Sequence, residues 1–149
     1  MPARIDSALL FSNAQAITAS AASTNSIDLY DLGHRLGQAG RRFDITVECV
    51  ETFNNLTSLG VALEDSADNL SFATTEISGT YTLASGILDA GALIMRVPIP
   101  ETGIGGADSR GTGYPFPGPS PIRRYAEMYY TVTGTAPTTG KVTAWIEVV

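Results

Sequence analysis

The sequence has few of the side chains on which most catalytic and metal sites depend. Its 149 residues include one cysteine, Cys49, and one histidine, His34. A single cysteine excludes an internal disulfide, and a single histidine excludes a metal site built from several histidines. A Ser-His-Asp triad would have to use His34, and no Gly-x-Ser-x-Gly motif accompanies it. We therefore expect a protein that is not an enzyme and that has no metal site and no cofactor.

Positive charge is also scarce. Nine Lys and Arg stand against fifteen Asp and Glu, which gives a net charge of −6. Basic residues are adjacent only at Arg41-Arg42 and Arg123-Arg124, and two dipeptides do not form the basic face that a phosphate backbone requires. We expect no nucleic-acid partner. The acidic balance favours solubility and repulsion between free copies.

Long hydrophobic runs are missing as well. No apolar run approaches the roughly 18 residues of a membrane span, so no membrane partner is expected. No basic segment followed by an apolar stretch opens the chain, and we therefore expect no signal peptide.

The segment Leu9–Leu29 has no charge before Asp28 and contains no glycine or proline. Its alanines favour a helix, but its many Ser, Thr and Asn side chains compete for backbone hydrogen bonds. No charged pairs at helical spacing support it either. We interpret the segment as a short apolar strand, an extended polar crossing and a second strand at Ser26–Tyr30.

The rest of the chain is dominated by alternation of apolar and polar residues. The clearest case is Phe43–Glu51, where the alternation predicts a strand with Cys49 on the buried face and Asp44, Thr46 and Glu48 facing solvent. Further strands are predicted at Leu59–Glu64, Ser71–Ser78, Gly91–Ile99, Arg124–Thr133 and Lys141–Val149, with a turn at Asp65–Leu70 and with Tyr81–Leu83 either extending a strand or starting a connection. About eight short strands separated by turn signals predict one all-β domain over residues 1–149, a sandwich or a barrel.

Residues Glu101–Pro121 interrupt this pattern. The stretch contains six glycines and four prolines, with Tyr114 and Phe116 among the prolines. A loop of this length within a compact domain is usually functional or disordered. We predict a long Gly/Pro-rich loop at this position.

Aromatic residues supply the candidate binding surface. Trp145, Tyr125 and Tyr129 fall on the nominally polar faces of their strands. Two explanations stay open: the loop at Glu101–Pro121 covers them, or they anchor an interface with another subunit. A carbohydrate-binding β-sandwich is the alternative function, with Trp145, Tyr114 and Phe116 as stacking platforms.

The sequence Leu-Phe-Ser-Asn-Ala-Gln-Ala-Ile-Thr-Ala-Ser-Ala-Ala-Ser-Thr-Asn-Ser-Ile-Asp-Leu at Leu10–Leu29 closely resembles the N-terminal signature of a family of tailed-phage capsid cement proteins. The type member of that family decorates a Bordetella short-tailed phage. Weaker matches follow in the same order at Val61–Ser66, Phe72–Thr74, Arg124-Tyr125, Tyr129–Val132 and Gly140–Ala144. The stretches Glu101–Pro121 and Asp31–Arg42 look longer than in the family.

This resemblance implies a jelly-roll β-sandwich without catalytic residues. It also implies a structural virion protein, made in the host cytoplasm, that binds the outer face of an icosahedral capsid and clamps neighbouring copies of the major capsid protein. The family resemblance favours a dimer over a trimer. On this hypothesis the uncharged segment lies against the shell or a sister subunit. The candidate interface residues are Ile17, Tyr114, Phe116, Tyr125, Tyr129 and Trp145.

Overall fold

The computed structural model describes residues 7–29, 43–99 and 122–148, and within these ranges nine β-strands form two sheets. The strands are β1 (Leu10–Ala16), β2 (Ala21–Ala22), β3 (Ile27–Asp28), β4 (Phe43–Glu51), β5 (Leu56–Ser66), β6 (Ala73–Thr82), β7 (Leu93–Pro98), β8 (Tyr125–Gly134) and β9 (Lys141–Val148). Two short 3₁₀ helices occupy Ser7–Leu9 and Leu83–Ser85. No helix in the described ranges has the length and apolar character needed to cross a membrane.

Every strand pair is antiparallel. The front sheet has the order β1-β9-β4-β7, and the back sheet has the order β2-β8-β5-β6, with β3 pairing β8 as well. β2 and β3 pair with the same strand on either side of Ser23–Ser26, so they are two segments of one interrupted edge strand. With β2 and β3 counted as one edge strand, each antiparallel sheet has four positions, in the strand order of a jelly roll. The predicted all-β jelly-roll sandwich is confirmed.

The core lies between the two sheets and follows the predicted alternation. In β8 the inward residues Ala126, Met128 and Tyr130 are at most 1% exposed, and Val142 of β9 is fully buried. Cys49 is also fully buried, as predicted, and desolvation raises the pKa of its thiol to about 11. A thiol with so high a pKa is a poor nucleophile, so Cys49 acts as a small apolar core residue.

The prediction that Asp44, Thr46 and Glu48 of β4 face solvent is wrong for Asp44 and Thr46. Asp44 is 2% exposed and Thr46 is 4% exposed, while Glu48 is partly exposed. Arg96 of β7 donates from Nε to Asp44 Oδ2 at 3.3 Å and forms an ion pair with Glu147 of β9 at 3.2 Å. Alternation shows which residues share a face, but it does not show whether other groups cover that face.

The strand limits also differ from the prediction. β5 spans Leu56–Ser66 and is longer than predicted at both ends. Near its end, Asp65 still pairs with β8 and accepts hydrogen bonds from Arg123 N and Nε, both at 2.9 Å. Asp65 was predicted to start a turn. β6 includes Tyr81, and Leu83 begins the second 3₁₀ helix.

In the first segment, the predicted second strand is shorter than expected. It spans Ile27–Asp28, and the predicted crossing contains β2. Tyr30, Asp31–Arg42 and the predicted loop at Glu101–Pro121 lie outside the described residues.

Candidate interaction surfaces

Ile17 follows β1 directly and belongs to the core. Its side chain is fully buried, and its backbone N–H donates to Gly140 O at 3.1 Å. It therefore offers no surface to a shell or a sister subunit, and its predicted place at an interface is wrong. The prediction rested on the lack of charge in this segment, and an uncharged segment suits the core as well as an interface.

Polar side chains of the uncharged segment bond to one another and to the backbone. The Ser12 hydroxyl lies 2.7 Å from both Gln15 Oε1 and the Tyr130 hydroxyl. Gln15 in turn donates from Nε2 to Ala22 O at 2.9 Å and accepts the Thr24 N–H at 3.0 Å. These contacts fasten β1 of the front sheet to β2 and β8 of the back sheet.

The gap between β2 and β3 is closed in the same way. Ser23 donates its N–H to Met128 O at 2.7 Å, while its Oγ accepts the Met128 N–H at 3.0 Å. Asn25 donates its N–H to Phe11 O at 3.0 Å. The segment thus uses short neutral side chains to satisfy its backbone where the ladder is interrupted. This gives its lack of charge a structural reason that requires no external partner.

Of the predicted aromatic residues, the three that the structure describes do not come together. Trp145 lies on the front sheet, in register with Leu10 of β1 and Thr46 of β4. Tyr125 and Tyr129 lie on β8 of the back sheet, and all three aromatic side chains are partly buried. Tyr114 and Phe116 are outside the described residues. The three described aromatic candidates therefore belong to two opposite faces of the sandwich.

The paired arginines before β8 are engaged in ion pairs. Arg124 donates from Nε and from a terminal nitrogen to the two carboxylate oxygens of Asp28, at 3.1 and 2.9 Å. Its guanidinium carbon also lies 5.0 Å from the centre of the Tyr125 ring. Arg123 binds Asp65 through three nitrogen donors. The Arg124 guanidinium therefore covers one face of the Tyr125 ring.

A shallow furrow runs along β5 on the outer face of the back sheet. Its floor is formed by the small residues Gly60 and Ala62, and its volume is about 270 Å³. The sides are lined by Thr74, Ser78 and Thr80 of β6 and by Tyr129, Thr131 and Thr133 of β8. A Cβ added at Gly60 would approach the Thr131 Cβ to 3.2 Å, so even one methyl group would begin to fill this part of the furrow.

Glu64 lines one end of the furrow, and Glu127 lies next to it on the neighbouring strand. Glu64 of β5 is in direct register with Glu127 of β8, and the Thr74 hydroxyl donates to Glu64 Oε1 at 3.3 Å. Partial burial raises the pKa of Glu127, and the charge and the hydrogen bond of Glu64 raise it further. Sequence reasoning missed this pair, because alternation assigns each Glu to an outer face without giving the register that joins them.

The β5–β6 turn presents the most exposed large apolar side chain of the described residues. Leu70 is 85% exposed. Asp68 holds the turn by accepting the N–H groups of Leu70 and Ser71, each at 2.9 Å, and the Ser66 hydroxyl at 2.7 Å. These donors lower the pKa of Asp68 to about 2.

Within the described ranges no three His, Cys, Asp or Glu side chains come together in a way that could hold a metal ion. The only histidine, His34, is outside those ranges.

The family comparison covers almost all of the sandwich. Residues 11–146 match the model of a protein family described as Bbp16, from the second residue of β1 to near the end of β9. The chain belongs to the Bbp16 family. The name of that family suggests a Bordetella phage protein, which agrees with the phage family that Leu10–Leu29 resembles. No curated protein matches this Bbp16-family chain.

Proposed function

We propose that this Bbp16-family protein is a structural virion protein that binds the outer surface of an icosahedral phage capsid and cements neighbouring major capsid proteins. The observation that carries the proposal is the family match over residues 11–146. The resemblance of Leu10–Leu29 to cement proteins supplies the specific role. The jelly-roll architecture, which also occurs in viral capsid domains, is compatible with it.

Cementing a capsid does not require each single contact to be tight. A subunit that touches two or more capsid proteins at once gains effective concentration for every contact after the first. Because it binds the assembled shell and not the separate parts, it shifts the equilibrium towards the shell by mass action. Pairing of two cement subunits would double the number of contacts, so we include a homodimer in the proposal.

Co-sedimentation with purified capsids tests the proposal. The wild-type protein at micromolar concentration should pellet with shells and should raise the temperature at which the shells disrupt. The variant Ile17→Asp serves as an unfolded control, since it places a charge in the core. Wild-type protein that stays in the supernatant would refute the role in cementing.

Two further measurements separate the parts of the proposal. Light scattering on the free protein should give about twice the monomer mass of 15.7 kDa if the dimer is correct. A glycan array addresses the carbohydrate-binding alternative. Strong glycan binding together with no shell binding would favour that alternative instead.

A further inference from the structure

We propose that the furrow along β5 receives an extended segment of the capsid protein, and that a Lys or Arg of this segment places its cation between Glu64 and Glu127. This inference rests on the proposed function and names the surface through which the protein would grip the shell. It concerns the outer face of the back sheet, which none of the sequence-based predictions had assigned beyond Tyr125 and Tyr129.

The shape of the furrow suits an extended chain. Its floor is the backbone of β5 at Gly60 and Ala62, flanked by the Thr, Ser and Tyr side chains of β6 and β8. An extended peptide laid over small residues brings its own backbone close to the sheet. The hydroxyl groups of Thr80 and Thr131 at the sides can bond to its N–H and C=O groups.

The charge at the end of the furrow suits a cation. Glu64 and Glu127 are in register on neighbouring strands, an arrangement in which like charges repel. Among the described residues no Lys or Arg forms an ion pair with either carboxyl group. Other acidic residues of this sandwich do have such partners, as Asp65 has Arg123 and Asp28 has Arg124. A partner's cation would remove the repulsion and gain two charge-assisted hydrogen bonds.

Charge also distinguishes this occupant from a second copy of the chain. A second copy laid over this face in twofold symmetry would bring its own Glu64 and Glu127 to the same interface. The net charge of −6 adds to that repulsion. A capsid segment with a basic residue meets no such penalty.

Removal of the charge pair is the first test. The double variant Glu64→Gln, Glu127→Gln should bind purified capsids about tenfold more weakly or worse than wild type at low salt. Its binding should also depend less on salt concentration, because a surface ion pair is screened by salt. The matched control is Glu48→Gln, which removes the charge of a partly exposed glutamate of β4 in the front sheet, away from the furrow. This control should bind shells like wild type.

Filling the furrow is the second test. Ala62→Leu places a larger side chain on the floor and leaves both carboxyl groups intact, and it should weaken shell binding as well. Thr82→Leu places a leucine on the same sheet outside the furrow and should not. Thermal unfolding of each variant shows whether it is folded. The Glu64→Gln, Glu127→Gln double variant should be at least as stable as wild type, because the repulsion between the two carboxylates is lost.

The outcomes separate the two proposals. If wild type does not bind shells, the cement function itself fails. If wild type binds shells and both furrow variants bind shells as tightly as wild type, the cement function stands and the furrow is not the contact. If the furrow variants lose binding to glycans and keep binding to shells, the furrow is a carbohydrate site and the inference is overturned.

Discussion

The hydroxyl oxygens of Ser12 and Tyr130 lie 2.7 Å apart, and both side chains are fully buried. Ser12 belongs to β1 of the front sheet and Tyr130 to β8 of the back sheet, so this hydrogen bond crosses the interior of the sandwich. Burial raises the pKa of Tyr130, while the contact with Ser12 acts in the opposite direction. The phenol is therefore neutral at physiological pH and takes part in a neutral hydrogen bond.

Tyr130→Phe should lower the free energy of unfolding by about 1 kcal/mol, because one buried hydrogen bond is lost while Ser12 keeps Gln15 as its partner. For a domain of this size that corresponds to about 2–4 °C in the midpoint of thermal unfolding. Tyr129→Phe, on the outer face, is the matched control. A double-mutant cycle with Ser12→Ala should show coupling between the two positions. Additive effects would mean that the contact contributes nothing to stability.

Glu127→Gln should stabilise the protein at pH 7, by about 0.2–1 kcal/mol for a like-charged cross-strand pair. The pKa of Glu127 is raised in the folded state above its ordinary value of 4.5. The folded protein therefore holds this proton more tightly than the unfolded chain. The resulting stability is present below pH 4.5 and is lost as the pH rises through the raised pKa. Urea unfolding should show a larger gain for the variant at pH 7 than at pH 4. An equal gain in the free energy of unfolding at pH 7 and pH 4 would show that charge repulsion is not its cause.

Asp68→Asn should have the opposite pH dependence. The pKa of Asp68 is lowered to about 2 by the N–H groups and the hydroxyl that it accepts. A lowered pKa contributes stability above the ordinary value of 3.8, and this contribution is lost as the pH falls towards 2. The variant should unfold at a lower temperature than wild type at pH 7, and the two midpoints should converge near pH 2. If the unfolding midpoints of variant and wild type differ by the same amount at pH 7 and near pH 2, the charge of Asp68 does not stabilise the turn.

Gly140→Ala should be clearly more destabilising than Gly91→Ala. Both glycines have positive φ, of 135° and 88°, so alanine is strained at either position. A Cβ at Gly140 would collide with the ring of Phe53, whereas a Cβ at Gly91 meets nothing within 4 Å. The expected difference is about 1–3 kcal/mol, the usual cost of overpacking. Equal losses in urea unfolding would mean that Phe53 moves aside freely.

Alternation predicted which residues face inward where a strand is regular. Ala126, Met128 and Tyr130, which alternate with Tyr125 and Tyr129 along β8, are buried, and the limits of β4 are those predicted. It failed at Asp44, because Arg96 covers that side chain. Sequence periodicity does not show which groups cover a face of a strand.

The furrow and the carboxyl pair were beyond sequence reasoning for a different reason. Glu64 and Glu127 become neighbours only through the register of β5 against β8. That register depends on the packing of the whole sandwich, since residues far apart in the chain must be aligned to one another. The aromatic residues were the signal that sequence offered, and they mark both outer faces without distinguishing them.

The strand order has a consequence for synthesis of the chain. Among the neighbouring strands described, only β5 and β6 are consecutive in sequence. The last two strands of the described chain, β8 and β9, each lie inside a sheet, where β9 separates β1 from β4 and β8 separates β2 and β3 from β5. Neither sheet can therefore close until β8 and β9 have left the ribosome, and until then β1 has no partner among the described strands of its sheet. The sandwich should fold only once both strands are available, on the millisecond-to-second timescale of topologies rich in distant pairings. Chains that terminate before Lys141 should accumulate as aggregates with unpaired strand edges.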